Sequence, residues 1–368
     1  MVIGGGVVGL AAAWHLLRLG CRPLAVVERF RIGHGRGSSH GSARMTRSTY
    51  TNPAYAALMR HVHSVEWPQL ERATGATLVH PGDVVFFGPD RPMLGAYASA
   101  VQAAGADVER LDPAEARRRF PSLQISDDAE ILHDRTGGVI AASETIRALR
   151  QLVMRRGADI LEHTRIRDID RTDNPIQVVS DRGVLRADRV VIATGAWIRE
   201  LVPVVPDLGA VPQTVAYFRL GVPARSLPAW IHFEGAHRGI TYGVPEVGRD
   251  ALKAGRHVTR GPDVDPEMLA APDSGAGRAL RHRLEEILAV PVRELLGVES
   301  CFYTMTPTED FVIDHWPGDS RVAFASACSG HGFKFAPLTG RLLAELVLNG
   351  RADLPDAPAA ASLFALRR

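Results

Sequence analysis

The feature that most narrows the fold lies at the start of the chain. Met1-Val2-Ile3 is apolar, Gly4-Gly5-Gly6-Val7-Val8-Gly9 follows, an apolar run then reaches Leu19 and stops at Gly20, and Val26-Val27-Glu28 forms a second short apolar segment ending in an acid. Strand, glycine turn, helix and strand in that order is the opening of a dinucleotide-binding βαβ unit, with Gly4-x-Gly6-x-x-Gly9 as its fingerprint. Glycines let the backbone approach a pyrophosphate, and the helix start at Val7 and Val8 offers free N–H groups and a positive dipole end. Glu28 is placed to accept hydrogen bonds from a ribose, and its charge disfavours a 2′-phosphate. The first strand is thin, since strands usually run about five or six residues.

Composition excludes several classes. Hydrophobic residues make up 46% of 368, enough for a large core, and the length favours two or three structural units. A formal net charge of +2 gives no bulk field for nucleic acid or an anionic membrane. No apolar run of about 18 residues predicts a membrane span, and the glycine-broken start does not resemble a secretory leader. Cys21, Cys301 and Cys328 are too few for a disulfide framework, so a reducing, cytoplasmic setting is expected. No metal site is expected. Of 43 basic residues, 41 are arginine; the two lysines are Lys253 and Lys334. A chain that writes nearly every cation as arginine keeps lysine where a compact ammonium is needed and a planar guanidinium does not serve.

Further along, residues 32–50 form a glycine- and serine-rich loop leading to Arg44 and Arg47, which share a face if the segment turns helical. Helices are predicted over 55–73, 113–119 with Asp112 as cap, 143–156 with Ser143 as cap, and 276–289. Residues 83–87 predict a strand. A buried strand from Val190 runs towards Thr194-Gly195-Ala196-Trp197, a turn typical beside a nucleotide. Short strands over 210–260 predict an antiparallel sheet. Residues 321–327 predict a strand followed by the turn Ser329-Gly330-His331-Gly332-Phe333-Lys334 and a helix, whose positive end faces an electron-rich group.

Together these motifs resemble the monomeric sarcosine oxidase family, which includes N-methyltryptophan oxidase and pipecolate oxidase. The resemblance runs from Gly4 to about Leu348. It rests on Ser39-His40-Gly41-Ser42-Ala43-Arg44-Met45-Thr46-Arg47, on Tyr242 with Lys253 and His257, on Cys301-Phe302-Tyr303-Thr304-Met305-Thr306-Pro307 through Asp310 to Asp314, and on Ser329 to Lys334. It implies an α/β + β fold in which a Rossmann-like FAD-binding domain (1–78, 140–205 and 316–368) interleaves with a substrate domain (79–139 and 206–315) built on a large mixed or antiparallel sheet. It implies FAD held as a thioether through Cys301, with Lys253 promoting the reaction of reduced flavin with oxygen. Arg47 and Lys334 match the pair that binds a substrate carboxylate. Arg44 and His40 match residues by the flavin face, and Tyr242 and His257 match residues lining the substrate cavity, which Tyr303 is also expected to reach. Cofactor contacts are expected from Gly4, Gly6, Val7, Val8, Gly9, Glu28, Arg29, Ser39, His40, Arg44, Thr194, Gly195, Trp197, Cys301, Gly330, Gly332, Phe333 and Lys334.

The implied activity is oxidation of a small secondary amino acid, N-methyl or cyclic, with oxygen reduced to hydrogen peroxide, by a monomer or weak dimer. Alternatives are an FAD dehydrogenase passing electrons to a carrier, and a biosynthetic amine oxidase with an unusual substrate. The chain departs from the family's pattern at Ser42-Ala43, where an acid and a threonine are frequent, and in the loop Ser48 to Pro53.

Overall fold

Six strands form the sheet that carries the glycine turn, in the order Val312–Trp316, Asp319–Ser326, Val190–Ile192, Val2–Ile3, Leu24–Val27, Ala158–Leu161. All neighbours are parallel except the hairpin at the first edge. This computed structural model describes residues 1–204, 207–235, 239–354 and Phe364. The boundary expected between residues 205 and 206 lies outside the described residues, as does most of the chain beyond 354 that was expected in the FAD-binding domain. Val2–Ile3 is the thin strand expected, yet its pairing extends past both ends: Val191 N–H donates to Met1 O, Ala193 N–H to Ile3 O, and Gly4 N–H to Val27 O. A central strand flanked on both sides needs little length of its own.

Helices Val7–Arg18, Ala142–Arg155 and Ala336–Asn349 bury one face of this sheet in a common core with Leu10, Trp14, Leu149 and Leu342. Gly340 makes the close approach possible, since a Cβ there would lie 2.5 Å from the Ala11 carbonyl carbon. The opposite face packs Ile3, Val27 and Ile192 against Ile176 and Val178 of a small antiparallel sheet.

A second sheet has eight strands, ordered Val292–Met305, Gly209–Leu220, Leu252–Arg256, Ile240–Pro245, Ala229–Phe233, Val84–Gly88, Glu130–Asp134, Val108–Leu111. It is mixed: Ala229–Phe233 runs parallel to Val84–Gly88, and every other pair is antiparallel. Strand alternation gives this sheet two characters. Ala216, Phe218, Leu252, Ala254 and Trp230 face Leu280, Leu284 and Ile287 of helix Ser274–Ile287. Partners across antiparallel strands share a face, so the pairs Tyr217↔Lys253, Val215↔Glu299, Gln213↔Cys301 and Tyr242↔Gly255 set the residues of the other face together.

Two local expectations change. Arg44 lies in a strand, Ala43–Thr46, paired with Gly138–Ala141, so it shares no helical face with Arg47. Glycines before it disfavour a helix, and the partner strand supplies the hydrogen bonds. The helix expected to be capped by Ser143 begins at Ala142, and Ser143 Oγ instead donates to Gly41 O at 2.8 Å. Asp112 does cap its helix, accepting from Glu115 N–H at 2.8 Å. No helix among the described residues is long and apolar enough to cross a membrane.

Candidate active site

One continuous cleft runs between the two sheets. Every residue expected to contact cofactor or substrate lines it except Gly9 and His40. At its nucleotide end the glycines are required sterically. Gly4 has φ +104°, and a Cβ there would meet Ala193 O at 2.4 Å. Gly9 faces inward instead, where a Cβ would meet Gly4 O at 1.8 Å, so it closes the turn on the helix. Ser39 Oγ accepts from Val7 N–H at 3.1 Å beside Gly6, which has no side chain of its own to cap the helix. Glu28 Oε2 accepts from Gly5 N–H at 2.7 Å and Oε1 from Phe30 N–H at 2.8 Å, fixing the acid beside the turn. Buried Thr194 Oγ1 finds no partner among the described residues. Arg29 and Trp197 are joined through Glu267, which accepts from Trp197 Nε1 at 2.9 Å and pairs with Arg29 at 2.5 Å. Glu267 carries no sequence signal and was not foreseen.

These features fit FAD. A glycine turn leads into a helix whose N-cap residue is Gly6, an acid closes the second strand, and an orphaned hydroxyl belongs to a residue lining the same space, which together suit a dinucleotide.

In the middle of the cleft the polar face of the eight-stranded sheet presents Lys253 and Cys301, 5% and 7% exposed. Lys253 Nζ donates to Ala43 O at 3.3 Å. Burial, then the neighbouring Arg44, push the Lys253 ammonium down to about 7, while Cys301, Glu299 and Glu246 oppose the shift. Burial pushes the Cys301 thiol up, and Arg44 and Lys253 pull it back. Arg44 is fixed by donating to Ser38 O at 2.9 Å and His40 O at 2.6 Å, and lies 5.3 Å from the Phe333 ring centre. His40 is turned away from the cleft: Nδ1 meets Gly37 O at 2.8 Å, and Nε2 faces Glu299 at 3.4 Å. Its ring is held within the loop and by Glu299, next to Arg44, whose guanidinium donates to the His40 carbonyl. Cys328 also lines the cleft.

At the far end Arg47 and Lys334 converge on Tyr50. The Arg47 guanidinium lies 4.2 Å from the Tyr50 ring centre, and its Nη1 is buried with no partner among the described residues. Lys334 Nζ donates to Tyr50 Oη at 3.0 Å and His331 O at 2.9 Å. Burial, then Arg47 and Arg44, hold Lys334 well below the usual ammonium range. His257 packs 5.5 Å from Tyr303, and burial with Arg47 and Lys334 pushes it down to about 4, so its imidazole is neutral at neutral pH. Gly330 leaves this space open: its φ is +73°, and a Cβ would lie 2.8 Å from both rings. The loop after Arg47 is anchored by fully buried Asp134. Its Oδ2 accepts from Ser48 N–H, Thr49 N–H and Thr49 Oγ1 at 2.7–2.9 Å, and its Oδ1 from Thr136 N–H and Oγ1. Two neighbouring cations, Arg47 with an orphaned donor and Lys334, suit a carboxylate.

Residues 1–346 match a family model described as FAD dependent oxidoreductase. The chain is 34% identical to the monomeric sarcosine oxidase of Streptomyces avermitilis, covering 96% of this chain and 94% of that protein. It is 28% identical to the N-methyl-L-tryptophan oxidase of Salmonella dublin, covering 99% and 98%. The fold superposes with a TM-score of 0.85 on the open form of NikD, an unusual amino acid oxidase essential for nikkomycin biosynthesis, at 23% identity over 99% of this chain and 96% of that one.

Proposed function

Because this chain belongs to the FAD dependent oxidoreductase family, we propose that it oxidises a small secondary amino acid, N-methylated or cyclic, and returns the electrons to oxygen as hydrogen peroxide. The observation that carries this reading is that the cleft beginning at the glycine turn is lined by both of the chain's lysines, with Arg47 beside Lys334 at its far end. Arg47 and Lys334 would hold the substrate carboxylate, the guanidinium through two parallel N–H donors and the ammonium as a point charge. Neutral His257 adds no third charge beside them and, with Tyr303 and Tyr242, shapes the wall against which the amine carbon rests. Lys334 is buried and Arg47, His257, Tyr242 and Tyr303 are half-buried, a setting that restricts water and strengthens each charge interaction.

Gly4, Gly6, Val7, Val8, Glu28, Arg29, Ser39, Thr194, Gly195 and Trp197 would hold the dinucleotide portion of FAD. Arg44, Gly330, Gly332, Phe333 and Cys301 would hold the flavin, the last through a thioether. Bound FAD supplies the two-electron acceptor for the C–H bond beside the amine nitrogen, leaving an imine that water hydrolyses. Lys253 provides positive charge where oxygen gains electrons in a site of low dielectric. Three free cysteines fit a reducing, cytoplasmic setting.

The test is a screen of N-methyl and cyclic amino acids for loss of flavin absorbance without air and peroxide release in air. Bleaching with peroxide is expected. Bleaching without peroxide when oxygen is the sole acceptor would replace the oxidase with a dehydrogenase, and no bleaching would remove the amino acid reading.

A further inference from the structure

Two carboxylates stand behind Lys253 without lining the cleft. Glu299 lies two residues before Cys301 on the same strand and therefore on the same face. Its Oε2 accepts from Tyr217 Oη at 2.6 Å and faces His40 Nε2 at 3.4 Å, while its side chain is 43% exposed to water. Glu246 is fully buried; it accepts from Ser42 Oγ and pairs with Arg249 Nε at 2.5 Å. Arg249 in turn lies 4.6 Å from the Tyr217 ring centre.

Gly41 is what lets this shell close. At its missing Cβ position Lys253 Nζ is 3.2 Å away, Arg44 Nη1 3.4 Å and Tyr217 Oη 3.5 Å, and φ there is +89°. The groups facing Lys253 are therefore Arg44 and His40 from the loop and strand before it, Tyr217 from its paired strand, Glu299 and Cys301 from the next strand, and Glu246 with Arg249 from the turn beside it. Arg44 repels an ammonium and burial disfavours one, so a charge there requires opposing carboxylates.

We propose that Glu299 is a positioning residue that, with Glu246, forms the counter-ion shell favouring the charged form of the buried Lys253 side chain. Glu246 is locked by Arg249 and Ser42. Glu299 is the water-facing member, and His40, then Tyr217 and Lys253, push its carboxyl down to about 2 against partial burial, so it stays charged at neutral pH. The contacts through Tyr217 bound the ammonium-to-carboxylate separation at about 9 Å, close enough for one charge to move the other's titration by up to roughly one pH unit after solvent screening.

The purpose of the shell rests on the oxidase reading; its measurement does not. Protein carrying ¹³Cε-lysine, purified with its flavin and without substrate, gives two side-chain resonances because the chain has two lysines. Lys253→Met assigns them. In Glu299→Gln the Lys253 midpoint is expected to fall by roughly half to one pH unit, in the double variant with Glu246→Gln further, and in Glu299→Asp to return most of the way, with Lys334 unmoved throughout. An unmoved or rising Lys253 midpoint in Glu299→Gln overturns the proposal. So does an equal shift of both lysines, or a Glu299→Asp shift as large as that of Glu299→Gln. Peroxide release plays no part in this readout, so a failure here is distinct from a failure of the proposed activity.

Discussion

Replacing Lys253 by methionine should make the protein more stable and its reaction with oxygen slower. Burial moves this ammonium from 10.5 to about 7. The penalty is full below the folded value, where both states carry the proton. It is relieved as pH rises from about 7 to 10.5, because only the unfolded chain stays protonated there. At 1.36 kcal/mol per unit the full penalty is roughly 4–5 kcal/mol, and losing the bond to Ala43 O returns about 1 kcal/mol of it. Methionine fills a similar volume, so urea unfolding near pH 6 should show the variant ahead by about 3 kcal/mol, with the gap closing near pH 10. Stopped-flow measurements should find anaerobic flavin reduction little changed and reoxidation slowed by roughly 10²–10³-fold, the cost of removing one preorganised charge from a dry site. A stability difference that does not change with pH would refute the buried-charge reasoning, and unchanged oxygen reactivity would remove Lys253 from the oxidative step.

Other outcomes follow from the same geometry. Cys301→Ala should release all its FAD on acid precipitation while the parent pellet stays yellow; flavin retained in the variant pellet would exclude the thioether. Arg47→Met should raise KM for carboxylate-bearing substrates roughly 10–100-fold, the worth of hydrogen bonds to a charged group, as read by steady-state peroxide release. Asp134→Ala should strip the partners from three backbone N–H groups around a fully buried position, lowering urea-unfolding free energy by about 3–5 kcal/mol.

The nucleotide end was legible because its signals are local: Gly4, Gly6 and Glu28 act through the turn they themselves make. The lysines were legible from scarcity. What lies behind them was not. Glu299 acts on Lys253 only because Val215 pairs with both Glu299 and Gly255, a register fixed by long-range strand pairing. Asp134 has an ordinary sequence setting and gains meaning from a loop far away in the chain. The parallel join between Val84–Gly88 and Ala229–Phe233 likewise has no signature in either segment. His40 sat in a recognisable motif, yet its ring follows Gly37 O and Glu299 rather than the cleft, a rotamer choice that motif spacing does not encode.

The strand Val292–Met305 alternates between two faces, with Glu299, Cys301 and Tyr303 on the one that carries Lys253 and Phe302 on the other, packed with Ala196 and Ala210. Inserting or deleting one residue ahead of Glu299 would send all three to the opposite face and set the Phe302 ring on the face that carries Lys253. This segment can therefore diversify by exchanging alternate side chains but hardly by changing length, and new specificity is more readily acquired in the loops that border it.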